Sequence, residues 1–171
     1  VPRRRAKFAA GRICARRALA AFGMPAVALP VGPDRAPRWP PGFVGSVSHS
    51  HVLAVALVAR TDTFLGLGID VEPATPLDPD LWPLVAAADE TIPGVGERGI
   101  AEKLRFSAKE AAFKCWSGAG GDRILEFSEV HLTVELPDRW TARAPPPGPA
   151  AVTGRFGAAD GHWWCVGWVG D

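Results

Sequence analysis

An amphipathic helix is the first element that the hydrophobic pattern predicts. Between Arg3 and Phe22, small or apolar residues recur every three or four positions, whereas arginines occupy a different face. Gly23 then supplies a common signal for the end of a helix. The pattern therefore predicts a helix with one buried stripe, which consists of Phe8, Gly11, Ala15, Leu19 and Phe22.

Most of the remaining apolar segments have the length and pattern of β-strands. A loop rich in proline and glycine covers residues 30–42 and must run extended, because each proline biases the residue before it away from helix. Apolar or alternating segments follow it, with a turn at "ARTDT" between the second and the third. The predicted strands lie in FVGSVSHS, HVLAVALVAR, TFLGLGIDVE, SEVHLTVEL, DRWTARA, AAVTGRF and HWWCVGWV.

A second helix is predicted between the two groups of strands. Residues 73–104 are rich in proline and then partly helical, with an exposed loop at "IPGVGERG", and "FSAKEAAFKCW" forms a short helix that ends at Ser117 and Gly118. Ser107, three residues before Glu110, fits a capping box and places the start of this helix there. The order helix, strands, helix, strands predicts an α+β fold and permits two similarly built halves.

Composition narrows the class of protein. The 171 residues suffice for one sizeable core or for two small halves packed together. The 47% hydrophobic and 22% charged content is ordinary for a globular protein, and no apolar run approaches the roughly 20 residues of a membrane span. We therefore expect a soluble domain and not a membrane protein.

Charge and cysteine content exclude further classes. The net charge is +1, but arginines crowd the first helix, which suits an anionic ligand better than an extended nucleic-acid track. On charge alone, a solvated helix face is the favoured explanation. The three cysteines are widely spaced, so neither a disulfide framework nor a zinc site is predicted. With no signal-peptide pattern at the start, this composition favours a reducing cytoplasm.

Two acidic residues end the third predicted strand. Asp70 and Glu72 point to the same face, with their Cα atoms about 6.6 Å apart. Carboxylate oxygens at this spacing suit Mg²⁺, which typically takes one or two carboxylates together with water and substrate phosphate oxygens. A solvent-exposed strand end with two isolated acids is the alternative.

A carboxylate and an ammonium group share one face of the second helix. Glu110 and Lys114 lie four residues apart, although the capping box also explains Glu110. The chain contains four lysines against fifteen arginines, and Lys103, Lys109 and Lys114 all fall in this region. This sparing use suggests that Lys109 and Lys114 have a specific task.

The segment "GSVSHS" adds a third set of polar side chains. His49 opens an apolar strand, where a hydrogen-bonded core histidine is the simplest explanation. Facing a pyrophosphate, its ring nitrogen and the hydroxyl of Ser48 would serve as hydrogen-bond donors. With the acids and lysines, these residues make up a set suited to phosphate chemistry, in which positioning and charge neutralisation matter most.

In order along the chain, these motifs resemble the 4'-phosphopantetheinyl transferases of the Sfp type, most closely the branch with enterobactin synthase component D. The similarity covers residues 3–136 and rests on RRRAKFAAGRICARRAL, PRWPPG, GSVSHS, GIDVE and FSAKEAAFK. The resemblance implies an α+β fold of two similarly built halves, 1–72 and 73–171, related by a pseudo-twofold axis. Coenzyme A would lie in the cleft between them.

The resemblance also implies a reaction and a role for each residue. The enzyme would move the phosphopantetheine arm of coenzyme A onto a carrier-protein serine and release adenosine 3',5'-bisphosphate. By similarity Asp70, Glu72 and Glu110 would hold Mg²⁺, for which Mn²⁺ can substitute, and Glu110 would also be the base, directly or through water. The phosphate contacts would come from His49, Lys114 and, as a weaker candidate, Lys109. The remaining contacts to coenzyme A would come from Arg4, Arg12, Arg35 or Arg38, and Ser48.

The expected partners follow from the same resemblance. They are acyl or peptidyl carrier protein domains of polyketide, nonribosomal peptide or siderophore synthases. No nucleic acid or membrane is expected as a partner. The enzyme would be a cytoplasmic monomer. A coenzyme A-binding module without transferase activity is the alternative, although the intact acids, Lys114 and His49 count against it. A Mg²⁺-dependent nucleotide hydrolase is a further alternative, but "GAGGD" lacks the Lys-Ser/Thr ending of a Walker loop.

Overall fold

The chain forms two units, each with a helix packed on an antiparallel sheet. The computed structural model describes residues 2–32, 36–87, 90, 92, 94, 96–120 and 125–170, with side chains from residue 5 onward. The elements are α1 (Pro2–Ala20), β1 (Phe43–His49), β2 (Ala54–Arg60), β3 (Gly66–Pro73), α2 (Trp82–Val85), α3 (Arg98–Gly118), β4 (His131–Glu135), β5 (Arg139–Arg143), β6 (Val152–Ala159) and β7 (His162–Val169). The α+β class is confirmed.

The first unit is a helix on a two-stranded hairpin. Strands β1 and β2 pair antiparallel from Phe43 opposite Arg60 to His49 opposite Ala54. Helix α1 covers them with the middle of the predicted stripe, so that Ala15 and Leu19 are buried against Leu29 and Phe43. The ends of the stripe are about half exposed, which leaves Phe8 available to line a neighbouring cleft.

The second unit holds the larger core. Its five strands are ordered β3-β7-β6-β5-β4, and every neighbouring pair is antiparallel. Helix α3 lies on this sheet and buries small residues such as Ala108 and Ala111 against Trp140 and Val152. The division into halves 1–72 and 73–171 and the pseudo-twofold axis stay predictions. Strand β3, which that division assigns to the first half, pairs along its whole length with β7.

The second long helix begins earlier than predicted. It starts at Arg98, after Glu97 as the extended N-cap residue, so Ser107 lies in its middle. The capping box predicted from Ser107 and Glu110 is therefore wrong. Buried Ala101 and Leu104 continue the apolar stripe towards the N-terminus, and packing against the sheet overrides the turn signals of the preceding glycine-rich segment. The predicted end at residues 117–118 is confirmed.

The three cysteines are free thiols, in agreement with the prediction. Cys115 and Cys165 are fully buried in the larger core, and burial raises the pKa of Cys115 to about 12 and that of Cys165 further. Both thiols therefore stay protonated at neutral pH. In the described part of the chain, no helix has both the length and the apolar character needed to cross a bilayer.

Candidate active site

The site begins where α3 lies directly on β3. A Cβ atom on Gly68 would overlap the carbonyl oxygen of Ala111, and one on Gly66 would overlap the carbonyl oxygen of Cys115. Glycine at both positions therefore lets the helix backbone approach the strand more closely than any other residue would. This close approach brings the polar side chains of α3 within reach of Asp70.

Asp70 is buried in a dense set of hydrogen bonds. Only 4% of the residue is exposed, and its Oδ1 accepts from Lys114 Nζ at 2.7 Å and from Ser48 Oγ at 2.9 Å. Its Oδ2 accepts from Ser107 Oγ at 3.0 Å. The alternative of a solvent-exposed strand end is therefore wrong for Asp70, whose charge is stabilised by one ammonium group and two hydroxyl groups.

Lys114 links two of the three acids of the site, Asp70 and Glu110. Its Nζ also donates to the carbonyl oxygen of Ile69 at 3.1 Å and to Ser48 Oγ at 3.3 Å, and lies 4.0 Å from a Glu110 carboxylate oxygen. The predicted helical pairing of Glu110 with Lys114 is therefore present. With 28% of its side chain exposed, Lys114 also lines the neighbouring cleft, where a positive charge attracts an anionic ligand.

The other two acids carry charge that is only partly compensated. Glu72 is 3.5 Å from Lys103 Nζ, with 27% of its side chain exposed. Burial raises the pKa of Glu110, the charges of Asp70 and Glu72 raise it further, and the charge of Lys114 acts in the opposite direction. The three carboxylates predicted to bind a metal are thus electrostatically coupled.

These carboxylates are of the type that binds magnesium, but they do not surround a single point. Among the described residues, no three acidic, histidine or cysteine side chains are gathered around one point as a metal site. Hard carboxylate oxygens on β3 and α3 are nevertheless the ligands that Mg²⁺ prefers, and their mutual repulsion favours a divalent cation. The residues present therefore fit such an ion.

A cleft of about 760 Å³ lies beside these acids. It is bounded by α1, the 36–39 segment, β1 and the C-terminal half of α3. The structure brings four of the basic residues predicted to contact coenzyme A or its phosphates to its walls, namely Arg12, Arg38, His49 and Lys114. Trp39 and Phe113 add aromatic surface to the same cleft.

Arg12 is a buried cation whose charge the described residues only partly satisfy. It is 7% exposed, its Cζ lies 4.6 Å from the centre of the Phe8 ring, and its Nε has no hydrogen-bond partner among the described residues. Burial lowers its pKa, and the charge of Arg16 lowers it further. An unpartnered guanidinium nitrogen in a cleft wall is a strong indication of an anionic ligand.

The remaining predicted contacts are distributed unevenly. Ser48 is buried, donates to Asp70 and accepts from the backbone N–H of Val71 at 3.3 Å, so its hydroxyl belongs to the acid cluster. The side chain of Arg4 and the whole of Arg35 lie outside the described residues. Their predicted contacts with coenzyme A stay predictions.

The structure does not bring Lys109 to this site, which corrects its assignment as a phosphate contact. The side chain is fully buried, and Nζ donates to the carbonyl oxygens of Val85 and Phe127 at 2.9 and 2.8 Å and to Glu90 Oε2 at 2.9 Å. All three ammonium hydrogens are therefore used. Lys109 joins α3 to α2 and to the segment before β4.

Sequence analysis missed one residue that holds the acid cluster and several that line the cleft. Ser107 was interpreted as a helix cap, yet it donates to Asp70. Its spacing to Glu110 and Lys114, three and seven residues, would have placed all three on one helix face had the helix been extended towards Arg98. Phe8, Trp39 and Phe113 gave no chemical signal, because aromatic residues at such positions are usually part of the core.

Comparison with known proteins identifies the family. Residues 1–59 match the family model of the 4'-phosphopantetheinyl transferase N-terminal domain. The chain is 39% identical over 170 residues to 4'-phosphopantetheinyl transferase Svp of Streptomyces mobaraensis. This match covers 95% of this chain and 68% of Svp.

Two further relatives agree. Npt of Nocardia iowensis, also a 4'-phosphopantetheinyl transferase, is 38% identical over 140 residues, or 81% of this chain and 63% of Npt. Enterobactin synthase component D of Salmonella typhi is 32% identical over 151 residues, or 78% of this chain and 60% of that protein. The chain thus spans 60–68% of the length of these three relatives. It belongs to the 4'-phosphopantetheinyl transferases, a family of enzymes, in the group that includes enterobactin synthase component D.

Proposed function

We propose that this chain transfers the 4'-phosphopantetheine group of coenzyme A to a serine of an apo acyl or peptidyl carrier protein, with Mg²⁺ or Mn²⁺ bound, and releases adenosine 3',5'-bisphosphate. The carrier domains would belong to polyketide, nonribosomal peptide or siderophore synthases. The proposal includes the monomeric state and the cytoplasmic location expected from the family resemblance.

One observation carries this proposal: Lys114 belongs both to the acid cluster and to the basic cleft. It contacts Asp70 at 2.7 Å and lines the cleft that also contains Arg12 and His49. Coenzyme A carries a phosphate at the 3' position of its ribose and a pyrophosphate at the 5' position, and the 3'-phosphate would lie at Arg12. The pyrophosphate would then lie at Lys114 and His49, beside the acids.

The transfer exchanges one phosphorus–oxygen bond for another. The carrier serine oxygen bonds to the β-phosphorus of the pyrophosphate, and the bond from that phosphorus to the bridging oxygen breaks. Adenosine 3',5'-bisphosphate leaves with the electron pair, and the serine proton passes to Glu110, directly or through water. The raised pKa of Glu110, caused first by burial, moves this carboxylate closer to the range in which a general base works at neutral pH.

The basic residues stabilise charge during this exchange. Lys114 and His49 would bind the pyrophosphate oxygens, and Arg12 would bind the phosphate at the nucleotide end. Asp70, Glu72 and Glu110 would hold Mg²⁺, which when bound neutralises charge on the phosphates. Ser107 and Ser48 keep the Asp70 carboxylate in a fixed orientation.

The carrier protein would dock near α2. Leu81 and Leu84 are 41% and 65% exposed there, and Arg98 lies with its Cζ 4.5 Å from the centre of the Trp82 ring. Exposed apolar side chains beside a cation suit a partner with an acidic, partly apolar surface. Lys109, the residue before Glu110 on α3, also holds this segment by donating to the carbonyl oxygen of Val85.

Intact-protein mass spectrometry tests the proposed function. An apo carrier protein is incubated with coenzyme A, Mg²⁺ and this chain, with a parallel sample in excess chelator. We expect a mass gain of one phosphopantetheine group that the chelator abolishes. Tight binding of coenzyme A with no mass gain on several carriers would contradict the proposal and favour a coenzyme A-binding module.

The Arg12→Ala variant tests the position of the nucleotide end. We expect the KM for coenzyme A to rise about tenfold or more with little change in kcat, because a binding contact of this kind is equally strong in the ground state and the transition state. Arg17→Ala, which removes an exposed arginine from the same helix, is the matched control. An unchanged KM in Arg12→Ala would place the anionic end elsewhere.

The Glu110→Gln variant tests the environment of the base. The folded state raises the pKa of Glu110, so the protonated side chain contributes to the stability of the fold. This contribution is complete below the pKa of the unfolded state, near 4.5, and is lost as the pH rises through the pKa of the folded state. Ionised Glu110 therefore destabilises the fold at neutral pH. We expect Glu110→Gln to abolish transfer and to raise the urea midpoint at pH 8, by an amount that shrinks towards pH 4.5.

The matched control for this variant is Glu135→Gln, at an exposed position on β4. It should leave the urea midpoint unchanged at both pH values. A Glu110→Gln midpoint below that of the wild-type protein at pH 8 would show that the Lys114 pairing outweighs the cost of burial.

A further inference from the structure

Within the described ranges, one edge of strand β3 pairs with no other strand. This strand is the first in the order β3-β7-β6-β5-β4, and its outer edge faces β1 without a β-ladder. Serine side chains satisfy the backbone there instead. The N–H of Ile69 donates to Ser46 Oγ at 3.1 Å, and the N–H of Val71 donates to Ser48 Oγ at 3.3 Å.

A third serine extends this pattern to β7, the strand that pairs with β3. Ser50 Oγ lies 2.9 Å from His162 Nε2, and His162 Nδ1 lies 3.0 Å from the carbonyl oxygen of Asp160. A carbonyl oxygen can only accept, so in the neutral form of the ring Nδ1 carries the proton and Nε2 accepts from the Ser50 hydroxyl. Ser50 Oγ also accepts from the N–H groups of Val52 and Leu53.

These three serines, Ser46, Ser48 and Ser50, form what we call the serine seam. They occupy alternate positions along and just beyond β1, so their side chains point the same way, and they are 4%, 6% and 7% exposed. Each serine makes at least one hydrogen bond that joins the two-stranded unit to the five-stranded unit. Apolar contacts would allow the units to slide, whereas directional hydrogen bonds fix their register.

The serine seam lies next to both His49 and Asp70. His49 lies between Ser48 and Ser50, and Asp70 lies between Ile69 and Val71, whose N–H groups the seam binds. We propose that the serine seam sets the position of His49 relative to Asp70, and that Ser46 and Ser50, which make no described hydrogen bond to the three acids, are positioning residues for the transfer reaction. Ser46 also lines the cleft, whereas Ser50 does not. This inference rests on the proposed function.

Amide exchange and kinetics on serine variants test the seam. In Ser46→Ala we expect the Ile69 amide, followed by NMR, to exchange about tenfold faster or more, because it loses its acceptor. In Ser50→Ala, whose side chain does not line the cleft, we expect kcat to fall about tenfold with the Kd for coenzyme A nearly unchanged, since a small misplacement of reacting groups affects the chemical step. Ser46→Thr, which keeps the hydroxyl, should restore the slow exchange of the Ile69 amide, and Ser50→Thr should restore kcat.

The control is Val152→Ala, which creates a cavity in the larger core away from the seam. It should lower stability and leave kcat unchanged. An unchanged Ile69 exchange rate in Ser46→Ala, or an equal loss of kcat in Val152→Ala, would overturn the proposal. Absence of transfer by the wild-type chain would instead contradict the proposed function, and the exchange rates would still decide whether the seam binds β3.

Discussion

Replacing Asp70 with asparagine is expected to lower kcat for phosphopantetheine transfer by about 100-fold or more, the range seen when a preorganised charge is removed from a reacting centre. The proposed metal would lose one of its carboxylates, and Lys114 would lose its counter-charge at 2.7 Å. Transfer is measured by mass spectrometry of the carrier protein over a series of Mg²⁺ concentrations.

The asparagine variant should nevertheless fold. Its amide oxygen can still accept from Lys114 and Ser48, and its NH₂ group can donate to the hydroxyl oxygen of Ser107. Alanine would be a poorer probe, because it would leave the ammonium group and both hydroxyl groups without their common partner. Asp62→Asn, the same change in an exposed turn, is the control. A wild-type rate in Asp70→Asn would remove Asp70 from the reaction.

The Gly68→Ala variant is expected to lose about 3 kcal/mol of unfolding free energy or to fail to fold. The new methyl group would overlap the Ala111 carbonyl oxygen and come within 3.0 Å of the Cys115 backbone nitrogen. Both obstacles are backbone atoms, so the only relief is to move α3 off β3. Ser107, Glu110 and Lys114 would move with the helix, and transfer would fall in any fraction that folds.

Gly96→Ala is the matched control for this change. A Cβ atom at position 96 would meet no atom of the described residues within 4 Å, and its backbone does not require glycine. Its denaturation midpoint should therefore be close to that of the wild-type protein. If Gly68→Ala unfolded at the same denaturant concentration as Gly96→Ala, the contact between α3 and β3 would be looser than the structure indicates.

The elements of the fold could largely be predicted from the sequence, because their signals are local. Alternation in "HLTVE" and the apolar run in "LGLGIDVE" identify strands without knowledge of their neighbours. The start of α3 could not be predicted in this way. Residues 98–106 become helical because Ala101 and Leu104 pack against the larger sheet, which is information from distant parts of the chain.

For the candidate site, too, local features could be predicted from the sequence and features that depend on packing could not. Glu110 and Lys114 were predicted to share a helix face because their spacing alone decides it. The burial of Asp70 and the position of Lys109 depend on what packs against them. The alternative of a solvent-exposed strand end does not hold for Asp70, which is covered by α3. Lys109 was predicted to meet phosphate and instead neutralises Glu90 inside the protein.

The pairing of β3 with β7 determines where this chain can be divided for fragment complementation. A cut after residue 72 would separate two strands that are hydrogen-bonded from Gly66 to Pro73, and would leave an unpaired, largely apolar strand on the first fragment. A cut in the exposed turn at residues 61–63 leaves each fragment with its own helix and its own sheet. Split-enzyme reporters made from this protein should therefore be joined at that turn.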